Sequence, residues 1–120
     1  MKMNKITLRK AQRIDKNILL TWRNDPATRR NSINTCVISE EEHSKWFETV
    51  FSKPTRLQLI GLDSEDKPVG QVRFDVLENN IAEVDVGVAP KERGKGFGGD
   101  LIKQGSLFYS VLRHAEAAIT

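Results

Sequence analysis

A glycine-rich segment in the last third of the chain is the clearest candidate for chemistry. Residues 93–99 stand between an alternating segment, 81–88, that predicts a strand and an apolar periodicity that predicts a helix from Leu101 onward. A loop of small residues that enters a helix leaves several backbone N–H groups unpaired beside the positive end of the helix dipole. This arrangement predicts a phosphate-binding loop.

Spacing separates the known kinds of phosphate loop. A P-loop requires Gly, four residues and then Gly-Lys-Ser/Thr, and this segment lacks both the first glycine and the final hydroxyl. The dinucleotide fingerprint is met formally by Gly94, Gly96 and Gly99, with Glu116 near the distance expected of a ribose-binding acid. Residues 89–93 nevertheless separate the strand from the first glycine. An NAD-binding unit therefore stays as a weaker alternative.

The spacing Arg-x-x-Gly-x-Gly, formed by Arg93, Gly96 and Gly98, follows a Val-Ala-Pro strand end and precedes a helix. At these residues the chain resembles the acetyl-coenzyme-A-dependent N-acetyltransferases of the GNAT superfamily. The resemblance implies that backbone N–H groups of the loop hold the pyrophosphate of acetyl-coenzyme A, while the preceding strand holds its acetyl and pantetheine amides. The cofactor-binding residues implied are Val86, Gly87, Val88, Arg93, Gly94, Lys95, Gly96, Phe97, Gly98 and Gly99.

Composition excludes several other classes of protein. The 120 residues suffice for one domain, and 38% hydrophobic with 29% charged residues is typical of a globular chain. Basic residues alternate with acidic ones, which argues against a nucleic-acid-binding face, and no apolar run is long enough to span a membrane. A lone Cys36 and two scattered histidines offer no disulfide and no metal-site spacing. We expect a cytoplasmic protein without a metal, and a homodimer is left open.

The periodicity predicts the order strand, helix, helix, strand, strand, strand, helix. Strands are expected at 6–9, 57–62, 69–77 and 81–88, and helices at 15–24, from Ser39 through Val50, and from Leu101, with 27–37 irregular. This is an α+β fold with a mainly antiparallel sheet flanked by helices. It is also the order of the first two thirds of a GNAT fold. The resemblance therefore implies one GNAT-like domain over residues 1–120, ending after the helix that follows the pyrophosphate loop.

Two carboxylates on the strand before the loop are candidates for catalysis. Transfer of an acetyl group from a thioester to an amine needs a base that takes a proton from the ammonium. Glu83 stands where several members of the family carry a base, so the resemblance implies that it acts directly or through water. Asp85 is the alternate, because residues two apart in a strand share a face. The competing interpretation is that both are ordinary solvent-facing carboxylates.

The N-terminal half carries the prediction of the acceptor. The segments 22–26, 42–47 and 70–75 resemble the GNAT branch that acetylates amino groups on nucleotide-linked sugars, as in pseudaminic acid pathways. The acceptor-binding residues implied are Trp22, Arg23, Asn24, Arg29, His43, Trp46 and Arg73. Arginines suit a diphosphate and tryptophans suit a base, although both tryptophans also fit the core of amphipathic helices. The alternative function is a coenzyme-A-binding remnant without catalysis.

Overall fold

One antiparallel sheet and four α-helices make up the part of the chain that the structure, a computed structural model, describes: residues 6–32, 35–78 and 81–119. The strands are β1 (Thr7–Lys10), β2 (Arg56–Leu62), β3 (Pro68–Val76) and β4 (Ala82–Val88), hydrogen-bonded in the order β1-β2-β3-β4. The helices are α1 (Lys16–Arg23), α2 (Pro26–Arg30), α3 (Glu40–Ser52) and α4 (Phe97–Ile119). The predicted α+β class is confirmed, and the element order agrees except that a third helix, α2, lies between α1 and α3.

Alternation along the strands gives the sheet two covered faces. On one face, Val72 and Phe74 belong to a core closed by α4, where the Phe74 and Tyr109 rings stack with centroids 4.7 Å apart. On the opposite face, Ile60 packs with Leu19 of α1 and Phe47 of α3. Polar side chains of β2 and β3 share this second face. The helices α1 and α3 therefore cover a partly polar surface.

Glycines let α4 approach the sheet closely. A Cβ atom at Gly61 or Gly70 would lie 2.5 or 2.6 Å from a methyl group of Leu101, and one at Gly105 would lie 3.1 Å from Val72. The first two distances are too short for two carbon atoms, so a larger residue at Gly61 or Gly70 would require Leu101 to move. The distance at Gly105 is tight, so this helical glycine packs closely on Val72.

The helix predicted from Ser39 begins with Ser39 as its N-cap. Ser39 precedes the helix, and its Oγ accepts a hydrogen bond from the backbone N–H of Glu42 at 3.1 Å. The prediction for residues 27–37 is wrong in part, because α2 begins at Pro26. Asp25 caps this short helix by accepting from the Thr28 N–H at 3.2 Å, and proline is favoured at a first helical position.

The long helix α4 begins at Phe97, four residues before the predicted start. Gly96 has φ +85°, which turns the chain and lets Gly98 and Gly99 join the first helical turn. The Phe97 side chain is buried in the core beneath α4 and fixes this turn on the sheet. Across the described segments, no helix is both long enough and apolar enough to span a membrane.

Candidate functional site

A cavity of about 330 Å³ lies on the sheet face that α1, α2 and α3 cover. The second half of β4 forms one wall, through Asp85 and residues 86–88, and the helices supply the opposite wall. The predicted acceptor-binding residues that line it are Trp22, Arg23, Arg29, Trp46 and Arg73. The structure thus brings together five side chains predicted from separate parts of the sequence.

Arg23 is held at this cavity by a buried histidine. Its NH1 atom lies 3.1 Å from Nδ1 of His43, and its guanidinium carbon lies 4.6 Å from the centre of the Trp46 ring. Burial and the neighbouring Arg73 guanidinium lower the pKa of Arg23. Arg23 forms no ion pair with any carboxylate of the described residues. A half-buried guanidinium in this state is suited to binding an anion.

Two further arginines near Trp46 are already neutralised. Asp75 accepts hydrogen bonds from Nε of Arg56 at 2.6 Å and from Nε of Arg73 at 2.9 Å. Burial raises the pKa of Asp75, but the hydrogen bonds from both arginines outweigh this and lower it. The guanidinium carbons of Arg56 and Arg73 lie 5.7 and 5.6 Å from the Trp46 ring centre. Asp75 therefore holds both guanidinium groups near one aromatic ring.

Amide side chains connect the cavity floor to Asp85. The Asp85 carboxylate accepts from Nε2 of Gln71 at 2.9 Å, and Oε1 of Gln71 accepts from Nε2 of Gln58 at 2.7 Å. Asp85 fixes the orientation of the Gln71 amide, and Gln71 fixes that of the Gln58 amide, because reversing either amide would place two acceptor oxygens together. Gln58 Oε1 is left buried and without a hydrogen-bond partner among the described residues. Sequence analysis did not identify Gln58 or this connection.

The two carboxylates of β4 differ in their position. Asp85 lines the cavity and lies 4.0 Å from NH1 of Arg73. Glu83 shares its strand face but pairs in register with Asp75, is exposed and does not line the cavity. Of the two predicted candidates for the base, Asp85 is the one that reaches the cavity directly.

The glycine-rich loop leaves the end of β4 through a 3₁₀ turn, Pro90–Glu92. Gly94 and Gly96 have φ +83° and +85°, a left-handed conformation that favours glycine. A Cβ atom at Gly99 would meet no other group within 4 Å, so the first turn of α4 is open on this side. Glu92 accepts hydrogen bonds from Lys95 at 3.1 Å and Lys67 at 3.2 Å, which lower its pKa. The loop thus presents helical N–H groups beside lysine side chains.

A contact between Arg93 and α2 joins the loop to the cavity wall. Arg93 NH1 lies 3.0 Å from Oδ2 of Asp25, and its NH2 donates to Oγ1 of Thr28 at 2.9 Å. Thr28 and Arg29 of the same helix line the cavity. The candidate phosphate site and the candidate acceptor site are therefore connected by side chains.

Two predicted acceptor-binding residues have other positions. His43 is fully buried and outside the cavity lining, because its Nε2 lies 2.7 Å from the Lys16 carbonyl and its ring packs beside Trp46. Asn24 pairs with Ile38, donating to its carbonyl at 2.9 Å and accepting from its N–H at 2.7 Å. Neither side chain lines the cavity, and both contact residues that do: His43 contacts Arg23 and Trp46, and Asn24 contacts Ile38.

Several lining residues were not predicted as site residues. They are Leu19, Thr28, Ser32, Cys36, Ile38, Glu42, Gln58 and Gln71. Gln58 and Gln71 are polar residues that alternate with apolar ones in β2 and β3, and this alternation is the signal in the sequence that could have identified them. Within the described ranges, no group of three or more histidine, cysteine, aspartate or glutamate side chains is arranged to hold a metal ion.

Comparison with known protein families identifies the fold. A family model described as the acetyltransferase (GNAT) domain matches residues 5–117. The chain belongs to this family. A comparison with curated proteins found no match. The match to the family model agrees with the family that the resemblance of the sequence implied.

Solved structures share the fold of this GNAT domain. A domain from Methanocaldococcus jannaschii is 24% identical with a TM-score of 0.75, and the match covers 94% of this chain and 73% of that one. Spermidine N-acetyltransferase from Vibrio cholerae, solved with CoA and spermine, is 20% identical with a TM-score of 0.73. That match covers 83% of this chain and 60% of the Vibrio chain, so the GNAT domain here spans less than two thirds of that protein's length.

Proposed function

We propose that this GNAT domain transfers the acetyl group of acetyl-coenzyme A to a primary amine bound in the cavity. The observation that carries the proposal is the continuity of β4: its residues 86–88 line the cavity, and the same strand leads into the glycine-rich loop. A cofactor with its pyrophosphate at the loop and its thioester beside β4 would place the acetyl group at the cavity. Family membership supports the same reaction.

The cofactor-binding roles fall on backbone groups. We assign the pyrophosphate to the N–H groups of residues 93–99, because the first turn of a helix has unpaired donors and a positive dipole end. The buried side chain of Phe97 leaves only its backbone for this role. The backbone of residues 86–88 would pair with the pantetheine amides, as one strand pairs with another.

Asp85 is our candidate for the general base. An amine attacks a thioester carbonyl only after it has lost its extra proton, and a carboxylate at the cavity can accept that proton directly or through water. Glu83, on the same strand face, remains the second candidate and would act through water. Collapse of the tetrahedral intermediate then releases the coenzyme A thiolate, and its general acid is unassigned.

The charges of the cavity favour an acceptor that carries an anionic group. Three arginines line it, against two carboxylates, and Arg73 and Gln71 already engage Asp85. A polyamine such as the spermine bound by the Vibrio enzyme would meet Arg23, whose charge is not held in an ion pair with any described carboxylate. We therefore retain a nucleotide-linked amino sugar as the proposed acceptor, with its diphosphate at Arg23 and Arg29.

Calorimetric titration with acetyl-coenzyme A and, separately, NAD tests the cofactor assignment. We expect micromolar binding of acetyl-coenzyme A, no binding of NAD, and loss of binding in Gly96→Asp, which strains a positive-φ position and adds negative charge. Ser106→Asp is the matched control, since it adds the same charge on an exposed turn of α4. Binding of NAD alone would contradict the proposal.

Turnover is tested by release of free thiol with a panel of UDP-linked amino sugars and spermidine. Acetylation of an amino sugar but not spermidine supports the proposed acceptor. Acetylation of spermidine alone would contradict it while leaving the reaction type intact. Binding of acetyl-coenzyme A without acetylation of any amine would favour the remnant without catalysis.

A further inference from the structure

We propose that Asp25 is a positioning residue for coenzyme A, acting through Arg93 to hold the glycine-rich loop in its ligand-binding shape before the ligand arrives. This inference rests on the proposed function, since it concerns the same cofactor. Thr28 has the same role through its hydroxyl group. Neither Asp25 nor Thr28 belongs to the loop, and neither was predicted to affect the cofactor.

The contact is a closed cluster of three side chains. Arg93 reaches Asp25 through NH1 at 3.0 Å and Thr28 through NH2 at 2.9 Å, and the Thr28 hydroxyl lies 3.3 Å from Oδ2 of Asp25. Arg93 and Thr28 are 65 residues apart in the sequence. The cluster is therefore a tertiary contact that fixes the first residue of the loop against α2.

The carboxylate in this cluster is itself fixed. Oδ2 of Asp25 also accepts the backbone N–H of Thr28 at 3.2 Å as the N-cap of α2, and the Asp25 side chain is only 17% exposed. Burial raises the pKa of Asp25, whereas the Thr28 N–H and Arg93 outweigh this effect and lower it. Asp25 is thus a rigid, ionised partner for the guanidinium.

The loop needs such support because of its composition. Gly94 and Gly96, with φ +83° and +85°, follow directly on Arg93, and glycine loses more conformational freedom on ordering than any other residue. Without an anchor at Arg93, these residues would become ordered only when the ligand binds, and the lost entropy would make the free energy of binding less favourable. An anchor present in the free protein removes part of that cost and so strengthens binding.

An opposite role for Arg93 makes a distinguishable prediction. If the Arg93 guanidinium were a direct ligand of the pyrophosphate, Asp25 would compete with the phosphate for it. Removing the Asp25 charge would then strengthen the binding of coenzyme A. In the positioning role, removing this charge weakens binding, so the two roles differ in the sign of the effect.

The test is calorimetric titration of coenzyme A into the wild type, Asp25→Asn, Arg93→Met and the double variant. Asparagine keeps the N-cap of α2 and loses the ion pair. We expect Kd to rise roughly threefold to tenfold in each single variant, and the double variant to be no weaker than Arg93→Met alone. The KM for acetyl-coenzyme A should rise by the same factor with kcat unchanged, which general loss of folded protein would not produce.

Two control variants test for unspecific effects of the substitutions, and a variant of Thr28 tests the cluster independently of Asp25. Asp66→Asn and Arg13→Met make the same chemical changes at exposed positions outside the cluster and should leave Kd unchanged. Thr28→Val removes one hydrogen bond from Arg93 and should weaken binding in the same direction, even if Asp25→Asn fails to fold. Tighter or unchanged binding of coenzyme A by folded Asp25→Asn would overturn the positioning role of Asp25 but not the proposed function. A wild-type protein that does not bind coenzyme A would overturn both.

Discussion

Arg23 donates from NH1 to Nδ1 of His43 at 3.1 Å, and this contact requires a neutral imidazole with its proton on Nε2. The Nε2–H group donates a hydrogen bond to the Lys16 carbonyl, with Nε2 2.7 Å from that oxygen. Burial lowers the pKa of His43, and the charges of Arg23 and Lys16 lower it further against the opposing effect of the carbonyl. Protonation of His43 would therefore break its hydrogen bond with Arg23 and place the imidazolium and guanidinium charges in repulsive contact.

Stability is expected to fall in mild acid because of His43. In the unfolded chain this histidine titrates near its ordinary pKa of 6.5, and in the folded chain below it. Between these two pKa values the unfolded state binds more protons, so the free energy of unfolding decreases as the pH falls below about 6.5. Urea titrations at pH 7.5 and 5.5 should show this loss, and His43→Gln should reduce it. An equal loss in His43→Gln would contradict the assignment.

Arg23→Met is expected to weaken acceptor binding without affecting the cofactor. Loss of a desolvated, charged hydrogen-bond donor should raise the KM for a UDP-linked amino sugar by about tenfold to a hundredfold. The Kd of acetyl-coenzyme A should stay unchanged. Arg30→Met removes an exposed arginine of α2 that does not line the cavity and is the control. A lower KM for spermidine in Arg23→Met, with no change for the sugar, would instead indicate a cationic acceptor.

Asp85→Asn should reduce kcat more than Glu83→Gln does. Asp85 lines the cavity and Glu83 does not, so loss of the base should cost about a hundredfold to ten-thousandfold at Asp85 and much less at Glu83. The kcat of Asp85→Asn should recover as the pH rises, because the free amine then becomes more abundant without a base. A larger loss in Glu83→Gln would restore Glu83 as the principal base.

Asp75→Asn is expected to destabilise the fold. Its carboxylate pairs with both Arg56 and Arg73, whose side chains are 15% and 24% exposed. Its loss leaves Arg56 without an ion pair among the described residues and Arg73 with only Asp85 at 4.0 Å. We expect a decrease of about 1–3 kcal/mol in the free energy of unfolding, measured in urea. Glu48→Gln breaks a pair with Arg13 that is more than 60% exposed, and its effect should stay below ~1 kcal/mol. Equal effects of the two substitutions would contradict this account.

The glycine-rich loop was predictable from sequence because its signal is local. Strand alternation, glycine spacing and a following helix all lie within about thirty residues and need no tertiary information. The start of α4 was misplaced because Gly98 and Gly99 are poor helix formers, and tertiary packing of Phe97 outweighs that propensity. The helix α2 was also missed, because Asp25 and Pro26 are residues that favour both a turn and the start of a helix.

The cavity was only partly predictable because it depends on strand register. Gln58 pairs with Arg73, and Gln71 pairs with Gly87, and these pairings bring both amides onto the face of Asp85. No local pattern in β2 shows which of its faces meets a cavity. The burial of His43 could not be predicted from the sequence, because it follows from how α3 packs on α1.

The glycines beneath Leu101 have a consequence for the length of the cofactor. Gly61 and Gly70 admit Leu101 to the sheet, and Leu101 lies one turn beyond the open start of α4. The distance between α4 and the sheet therefore sets the distance between the N–H groups at the start of α4 and the backbone of β4. If acetyl-coenzyme A binds as we propose, the arm between its pyrophosphate and its thioester must match that interval, so we expect larger residues at Gly61 and Gly70 to weaken its binding.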